Sequence, residues 1–188
     1  MDTARIEQAV REIIEAIGED PHREGLADTP RRIAEMYEEL FSGLKEDPRR
    51  LLEVGFDAED HHEMVIVKDI PFTSVCEHHL IPFYGRAHIG YLPQGRIVGI
   101  SKIARLLDVL AHRPQVQERL TSQIADYLCE RGLGASGAGV VVEAVHLCMA
   151  LRGVKKPGSK VVTVATRGTF RDDPRTRAEF FALLERRK

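Results

Sequence analysis

A chain of 188 residues, 43% hydrophobic and 30% charged, has the composition of an ordinary soluble globular protein, with room for one well-packed domain and a helical appendage. Its formal net charge of -2, from 27 basic and 29 acidic residues, gives no global attraction to nucleic acid or anionic lipid, so any anionic ligand must be held by a local cluster. No apolar run approaches the roughly 18 residues of a membrane span, and Met1-Asp2-Thr3-Ala4-Arg5 leads into an amphipathic pattern instead of a signal-peptide core, which points to the cytoplasm.

Ile6, Ala9, Val10, Ile13, Ile14 and Ile17 follow the three-four spacing of a helix with one apolar face, and Gly18 ends it. Thr29-Pro30 opens a second helix, with Thr29 as cap, Pro30 at the first helical position and a stripe of Ile33, Met36, Tyr37, Leu40, Phe41 and Leu44. Residues 45–63 are charged and read as a connector with one short helix, which makes 1–63 an N-terminal helical extension and 64–188 the main domain. There the texture turns to strand: Met64 to Ile70, a break at Pro71, a cysteine-histidine turn, then Tyr84 to Leu92 and Arg96 to Ile100 as a hairpin through Pro93-Gln94-Gly95. Ser101 caps a helix bearing Ile103, Leu106, Leu107 and Leu110, Pro114 interrupts it, and a second helix runs from about Gln115 to Glu130. After a glycine-rich turn come strands Val140 to Met149 and Lys160 to Thr169, and Asp173-Pro174 opens a final helix ending in Glu185-Arg186-Arg187-Lys188. The order ββααββ is that of an α+β fold, with helices covering one face of an antiparallel sheet. Its open edges invite pairing with further copies, so a ring-like homo-oligomer is expected.

Two of the three cysteines have histidine neighbours at metal-ligand spacing, in Cys76-Glu77-His78-His79 and in His146-Leu147-Cys148. If the first stretch turns like a helix, Cys76 and His79 share a face; if the second is a strand, His146 and Cys148 do. Two thiolates and an imidazole form a soft set that suits Zn2+. Five candidate ligands for a four-coordinate ion leave a choice between a closed structural site and an open catalytic one. In the open form Cys76, His79 and Cys148 bind the metal, and His78 and His146 flank the vacant corner as proton carriers. Cys129 has no such company and reads as a small buried hydrophobe, and His61-His62 as solvated surface.

Ser101, Lys102 and Arg105 fall within one turn of a helix start, where free N–H groups and two cations suit a phosphate, although a capped helix with solvated charges has the same pattern. Arg152, Lys155 and Lys156 add positive charge after the metal-bearing strand. Glu118 can accept two parallel hydrogen bonds from the N1–H and exocyclic amine of guanine; it is equally a favourable acid in a first helical turn beside Arg119.

These blocks, Ser74-Val75-Cys76-Glu77-His78-His79, Ser101-Lys102-Ile103-Ala104-Arg105, Arg113-Pro114-Gln115-Val116-Gln117-Glu118-Arg119 and Val145 through Gly153, closely resemble the signatures of the GTP cyclohydrolase I family, and Gly25 to Arg32 resembles its N-terminal helical region. The resemblance implies a tunnelling fold, a homodecamer of two stacked pentamers with interfacial active sites, and conversion of GTP and water to 7,8-dihydroneopterin triphosphate and formate. It also implies zinc on Cys76, His79 and Cys148, acid/base roles for His78 and His146, guanine held by Glu118 with help from Gln117, and triphosphate facing Ser101, Lys102, Arg105 and Arg152. A non-catalytic zinc-stapled module, or another tunnelling-fold enzyme such as a queuosine-pathway nitrile reductase, would share parts of this pattern.

Overall fold

The computed structural model describes residues 1–53, 55–57 and 61–185. They group into two compact units, Met1–Ser42 and Gly43–Lys188. In the first, α1 (Thr3–Ala16) packs on α2 (Thr29–Leu40). Asp2 caps α1 by accepting the Arg5 N–H at 3.0 Å, and Gly18, with φ +88°, ends it as predicted. Asp28, not Thr29, stands at the capping position of α2. Val10, Ile14 and Ala34 are buried, but Ile13 and Ile17 are exposed, so α1 buries a narrower face than its periodicity predicts.

In the second unit the charged connector holds more structure than its composition suggests. It forms α3 (Pro48–Glu53), whose Leu52 is fully buried in the core, and β1 (Gly55–Asp57). β1 pairs antiparallel with β4 (Arg96–Val98), which corrects the expected hairpin around Pro93-Gln94-Gly95. The frame is a five-stranded sheet in the order β5 (Pro114–Gln115), β2 (Val65–Cys76), β3 (Pro82–Leu92), β6 (Gly137–His146), β7 (Val161–Gly168), antiparallel except where β5 joins β2. Both edges of β3 are taken by β2 and β6 up to its last residues, so β4 has no edge of β3 to pair with. The ββααββ order is completed by α4 (Ile100–Ala111) and α5 (Gln117–Asp126), the latter prolonged by a wider turn over Tyr127–Arg131. Leu106, Leu107, Leu110, Leu120 and Ile124 of these helices pack on Phe72, Phe83, Ala87, Val140 and Val142 of the sheet. This is the α+β tunnelling-type arrangement that the sequence predicts.

Three local departures bear on the site. β2 runs through Pro71 without a break, because β5 joins its other side only at Val75 and Cys76, and a proline is tolerated on a stretch of strand with one neighbour. β6 ends at His146, and residues Leu147–Ala150 form the one-turn helix α6, so His146 and Cys148 are not strand neighbours on a common face. Finally, the helix after β4 starts at Ile100 with Gly99 as its cap residue, which places Ser101 inside the first turn.

β2 also contains a bulge between Val67 and Ile70, where Asp69 adopts φ +55°. The Asp69 N–H donates to His88 Nδ1 at 3.1 Å, and its carboxylate accepts from Arg86 at 3.1 Å. Before the bulge Val65 and Val67 lie opposite Tyr91 and Ile89 of the core face. After it Ile70, Phe72, Ser74 and Cys76 take that face. The extra residue therefore shifts the alternation of the strand by one step.

On the other face Phe170 of α7 (Thr169–Asp172) and Phe180 of α8 (Pro174–Glu185) fill slots over Gly139 and Gly90, where a Cβ would come within 2.6 and 2.8 Å of their rings. Asp173 caps α8 by accepting the N–H groups of Arg175 and Thr176 at 3.0 and 3.3 Å, as expected for Asp173-Pro174. The predicted end of this helix at Arg186, Arg187 and Lys188 lies outside the described residues.

Candidate active site

The register of three strands assembles the site. Val75 pairs with Pro82 across β2 and β3, and Phe83 pairs with His146 across β3 and β6, so the chain leaving β2 at Cys76 and the chain leaving β6 at His146 emerge side by side. The first exit folds into a tight turn: the His79 and Leu80 N–H groups donate to the Cys76 carbonyl at 3.3 and 2.9 Å, and Leu80 takes φ +51°. The second winds into α6 and presents Cys148. Sγ of Cys76, Sγ of Cys148 and a ring nitrogen of His79 all lie within 4.8 Å of one another, with His79 Nδ1 3.9 Å from Cys76 Sγ. A tetrahedral ion with sulfur at ~2.3 Å and nitrogen at ~2.0–2.1 Å wants such ligands roughly 3.5–3.8 Å apart, so a small contraction satisfies it. Burial pushes the Cys148 thiol upward, and the neighbouring Cys76 pushes it the same way. A cation between the two sulfurs reverses that opposition by favouring both thiolates.

Beside the cluster is a cavity of about 250 Å³ lined by Cys76, His78, Gln115, Val116, Gln117, Glu118, His146, Cys148, Met149 and Val161. His78 is largely exposed, its Nε2 3.9 Å from the Glu77 carboxylate. His146 stacks on Phe83 with ring centres 4.5 Å apart, and burial lowers its basicity while Glu118 partly opposes the effect. Glu118 sits exposed in the first turn of α5; the cation next to it, Arg119, is engaged with Glu77 and with Gln115 Oε1 at 2.8 Å. Gln117 is almost fully buried, and its amide is taken up by His146, two carbonyls and Thr163. Arg152, just past α6, donates to His79 Nε2 at 2.9 Å.

Ser101, Lys102 and Arg105 are not brought to this cavity. Ser101 and Lys102 lie in the first turn of α4 and Arg105 in the second, whereas it is the C-terminal end of that helix that reaches the site, where Ser74 Oγ donates to the Ala111 carbonyl at 2.7 Å. Helical rise puts Ser101 about 15 Å and Arg105 about 9 Å along the axis from Ala111. Cys129 is partly buried against the core, with burial pushing its thiol up to about 11, and His61 and His62 are exposed.

Residues that sequence patterns did not single out hold the site together. The Glu77 N–H donates to the Gln115 carbonyl at 3.0 Å, and Arg119 links the Glu77 and Gln115 side chains, so the Cys76–His79 turn is tied to the start of α5. Thr163 faces inward on β7 between Val161 and the buried Ala165, a hydroxyl at a position where the alternation calls for an apolar side chain. That anomaly was the available signal.

A protein-family model described as GTP cyclohydrolase I matches residues 6–185. Among curated proteins, GTP cyclohydrolase 1 of Clostridioides difficile (strain 630) is 60% identical over 98% of this chain and 97% of its own length. The protein of the same name from Pelotomaculum thermopropionicum is 60% identical over the same shares, and that from Caldanaerobacter subterraneus subsp. tengcongensis is 57% identical over the whole of both chains. The solved apo form of the archaeosine synthase QueF-Like overlays 56% of this chain and 93% of its own at 20% identity with a TM-score of 0.44, an overlap that bears on neither activity nor ligand.

Proposed function

This chain belongs to the GTP cyclohydrolase I family, and on that premise we propose how its residues divide the work. The reaction opens the guanine imidazole ring of GTP by hydrolysis and rearranges the product to 7,8-dihydroneopterin triphosphate, with C8 leaving as formate. It serves pterin and folate biosynthesis.

Cys76, His79 and Cys148 hold a zinc ion, whose preference for thiolate and imidazole and for three protein ligands plus water matches this donor set. When bound, zinc supplies Lewis-acid activation of the attacking water. Glu118, at the cavity wall, accepts the guanine N1–H and exocyclic amine, a pair of donors that adenine lacks. His78 protonates the imidazole ring nitrogen as the ring opens, and its exposure on a turn gives it a route to solvent protons. His146, held against Phe83, moves protons while the ribose rearranges and the new ring closes.

Arg152 faces the triphosphate together with Ser101, Lys102 and Arg105. Because the last three stand towards the N-terminal end of α4, away from the end that reaches this cavity, their phosphate cradle serves the cavity of a neighbouring subunit, in a homo-oligomer that we read as a decamer of two pentamers in the cytoplasm. The described residues include no helix long and apolar enough to cross a membrane. Remote contacts to the phosphates then supply the energy that orients C8 at the reacting centre.

The observation that supports this reading best is the convergence of two thiols, an imidazole, two further histidines and Glu118 around one cavity. Incubating the purified protein with GTP, with and without a chelator, tests it. Formate and a neopterin product fluorescent after oxidation are expected, abolished by the chelator and restored by zinc. Metal-loaded protein that releases no formate from GTP refutes the activity, and turnover that persists in stripped protein refutes the role of the ion.

A further inference from the structure

We infer that Thr163 and Gln117 are positioning residues for His146: the Gln117 side chain, anchored through Thr163, fixes the orientation and tautomer of that imidazole instead of reaching the substrate. The inference rests on the reaction proposed above and deepens it.

Hydrogen-bond accounting leads there. The Gln117 side-chain nitrogen is 3.0 Å from the Val142 carbonyl, 3.0 Å from the Val161 carbonyl and 3.1 Å from Thr163 Oγ1. Carbonyl oxygens only accept, so the amide cannot be turned around: its NH2 end must face β6 and β7, and Oε1 must face His146, whose Nε2 lies 2.8 Å away. An amide oxygen offers no proton. Nε2 therefore donates, and in the neutral ring the lone pair is left on Nδ1.

The hydroxyls fix the other end. Thr121 Oγ1 donates to the Gln117 carbonyl at 2.7 Å, and having one hydrogen it must accept from Thr163 Oγ1 at 2.6 Å. Thr163 is then free to accept from the Gln117 amide, whose two hydrogens are shared among that hydroxyl and the Val142 and Val161 carbonyls. Gln117 and Thr121 are each about 1% exposed, and no side-chain polar atom buried among the described residues is left without a partner. A network so fully satisfied is rigid, and Thr163 stands behind the cavity wall rather than in it. With Phe83 stacked on its ring, His146 is held both against tilt and against in-plane rotation.

The test is steady-state kinetics with GTP on the zinc-loaded holoenzyme, using Thr163→Val, which removes the hydroxyl at nearly constant volume, and Thr163→Ser, which keeps it. Thr163→Val is expected to lower kcat about tenfold, as small misplacements of a reacting group do. KM for GTP and zinc content should stay near wild type, and Thr163→Ser should recover most of the rate. In a His146→Ala background Thr163→Val should have no further effect, since it acts through the ring that is gone. If Thr163→Val does not fold, Thr121→Val poses the same question from the helix side with the same expected result. An unchanged kcat, a raised KM at constant kcat, or the same tenfold loss with His146 already removed overturns the inference while leaving the reaction standing. A wild type without turnover removes the reaction and the inference together.

Discussion

Replacing Gly85 by alanine should damage both the sheet and the metal site, by an amount that the geometry allows to be worked out. Gly85 of β3 lies opposite Ala144 of β6, two residues from the Phe83–His146 pair. A Cβ there would sit 1.8 Å from the Glu143 carbonyl oxygen and 2.6 Å from Ala144 Cα. A comfortable carbon–oxygen contact is about 3.3 Å or more, so the strands must part by roughly 1.5 Å, which breaks ladder hydrogen bonds near 2.9 Å in length. Leaving about two buried backbone groups unsatisfied at ~1–3 kcal/mol each gives a destabilisation of about 4 kcal/mol. For a chain of this size each 1 kcal/mol moves the midpoint by about 2–4 °C, so Gly85→Ala should melt about 8–16 °C early. Gly95→Ala is the control: φ is +75° and nothing lies within 4 Å, so only left-handed strain of about 1 kcal/mol is expected. Thermal unfolding of the zinc-loaded proteins, with zinc stoichiometry on each, measures both effects. Gly85→Ala should also bind zinc more weakly, because β6 carries Cys148 out to meet Cys76. A Gly85→Ala midpoint no lower than that of Gly95→Ala would show that β3 and β6 do not approach as described.

Cys148→Ser should lose zinc and turnover together, whereas His78→Ala should keep full zinc and lose turnover by about 100-fold or more; zinc missing from His78→Ala would make that residue a ligand. Glu118→Ala should raise the dissociation constant for GTP by about tenfold or more, as loss of a charge-assisted bidentate contact does, and unchanged affinity in a binding titration would remove Glu118 from the guanine site. Zinc affinity should fall with acid, since both thiols and the imidazole must shed protons to bind. Burial raises the Cys148 thiol, so proton competition begins higher on the pH scale than for an ordinary cysteine. Each ligand that must shed a proton to bind steepens the loss by about tenfold per pH unit, and competition with a chromogenic chelator between about pH 8 and 6 would expose a flat profile if the thiols are not ligands.

The fold was legible where local rules decide it. Apolar spacing marked α1, α2 and α4, and Asp173-Pro174 marked α8, where the cap stands as expected. The rules failed where a distant neighbour decides. Arg96–Val98 has the look of a hairpin arm, yet its pairing went to Gly55–Asp57, because both sides of β3 were already occupied. Val140 to Met149 is apolar but for Glu143 and His146, and nothing within it announces the helical turn after His146. For the site, ligand chemistry made Cys76, His79 and Cys148 conspicuous, since cysteine and histidine at such spacings have few other uses. The inward commitment of Gln117, the brace from Arg119 to Glu77, and the buried hydroxyls of Thr121 and Thr163 depend on what lies across the sheet, which no linear pattern reports.

The bulge at Lys68-Asp69 makes β2 a strand of mixed parity, with odd-numbered residues inward before it and even-numbered ones after. Deleting the extra residue there would restore regular alternation and leave Cys76 on the core face, whereas losing one residue between Ile70 and Val75 with the bulge kept would leave the ligand count intact while turning Cys76 outward, away from Cys148. Relatives or redesigned variants that differ by one residue between the bulge and Cys76 can therefore keep both cysteines and their histidine neighbours and have no metal centre, so strand length over 70–75 is as informative about competence as the presence of the cysteines themselves.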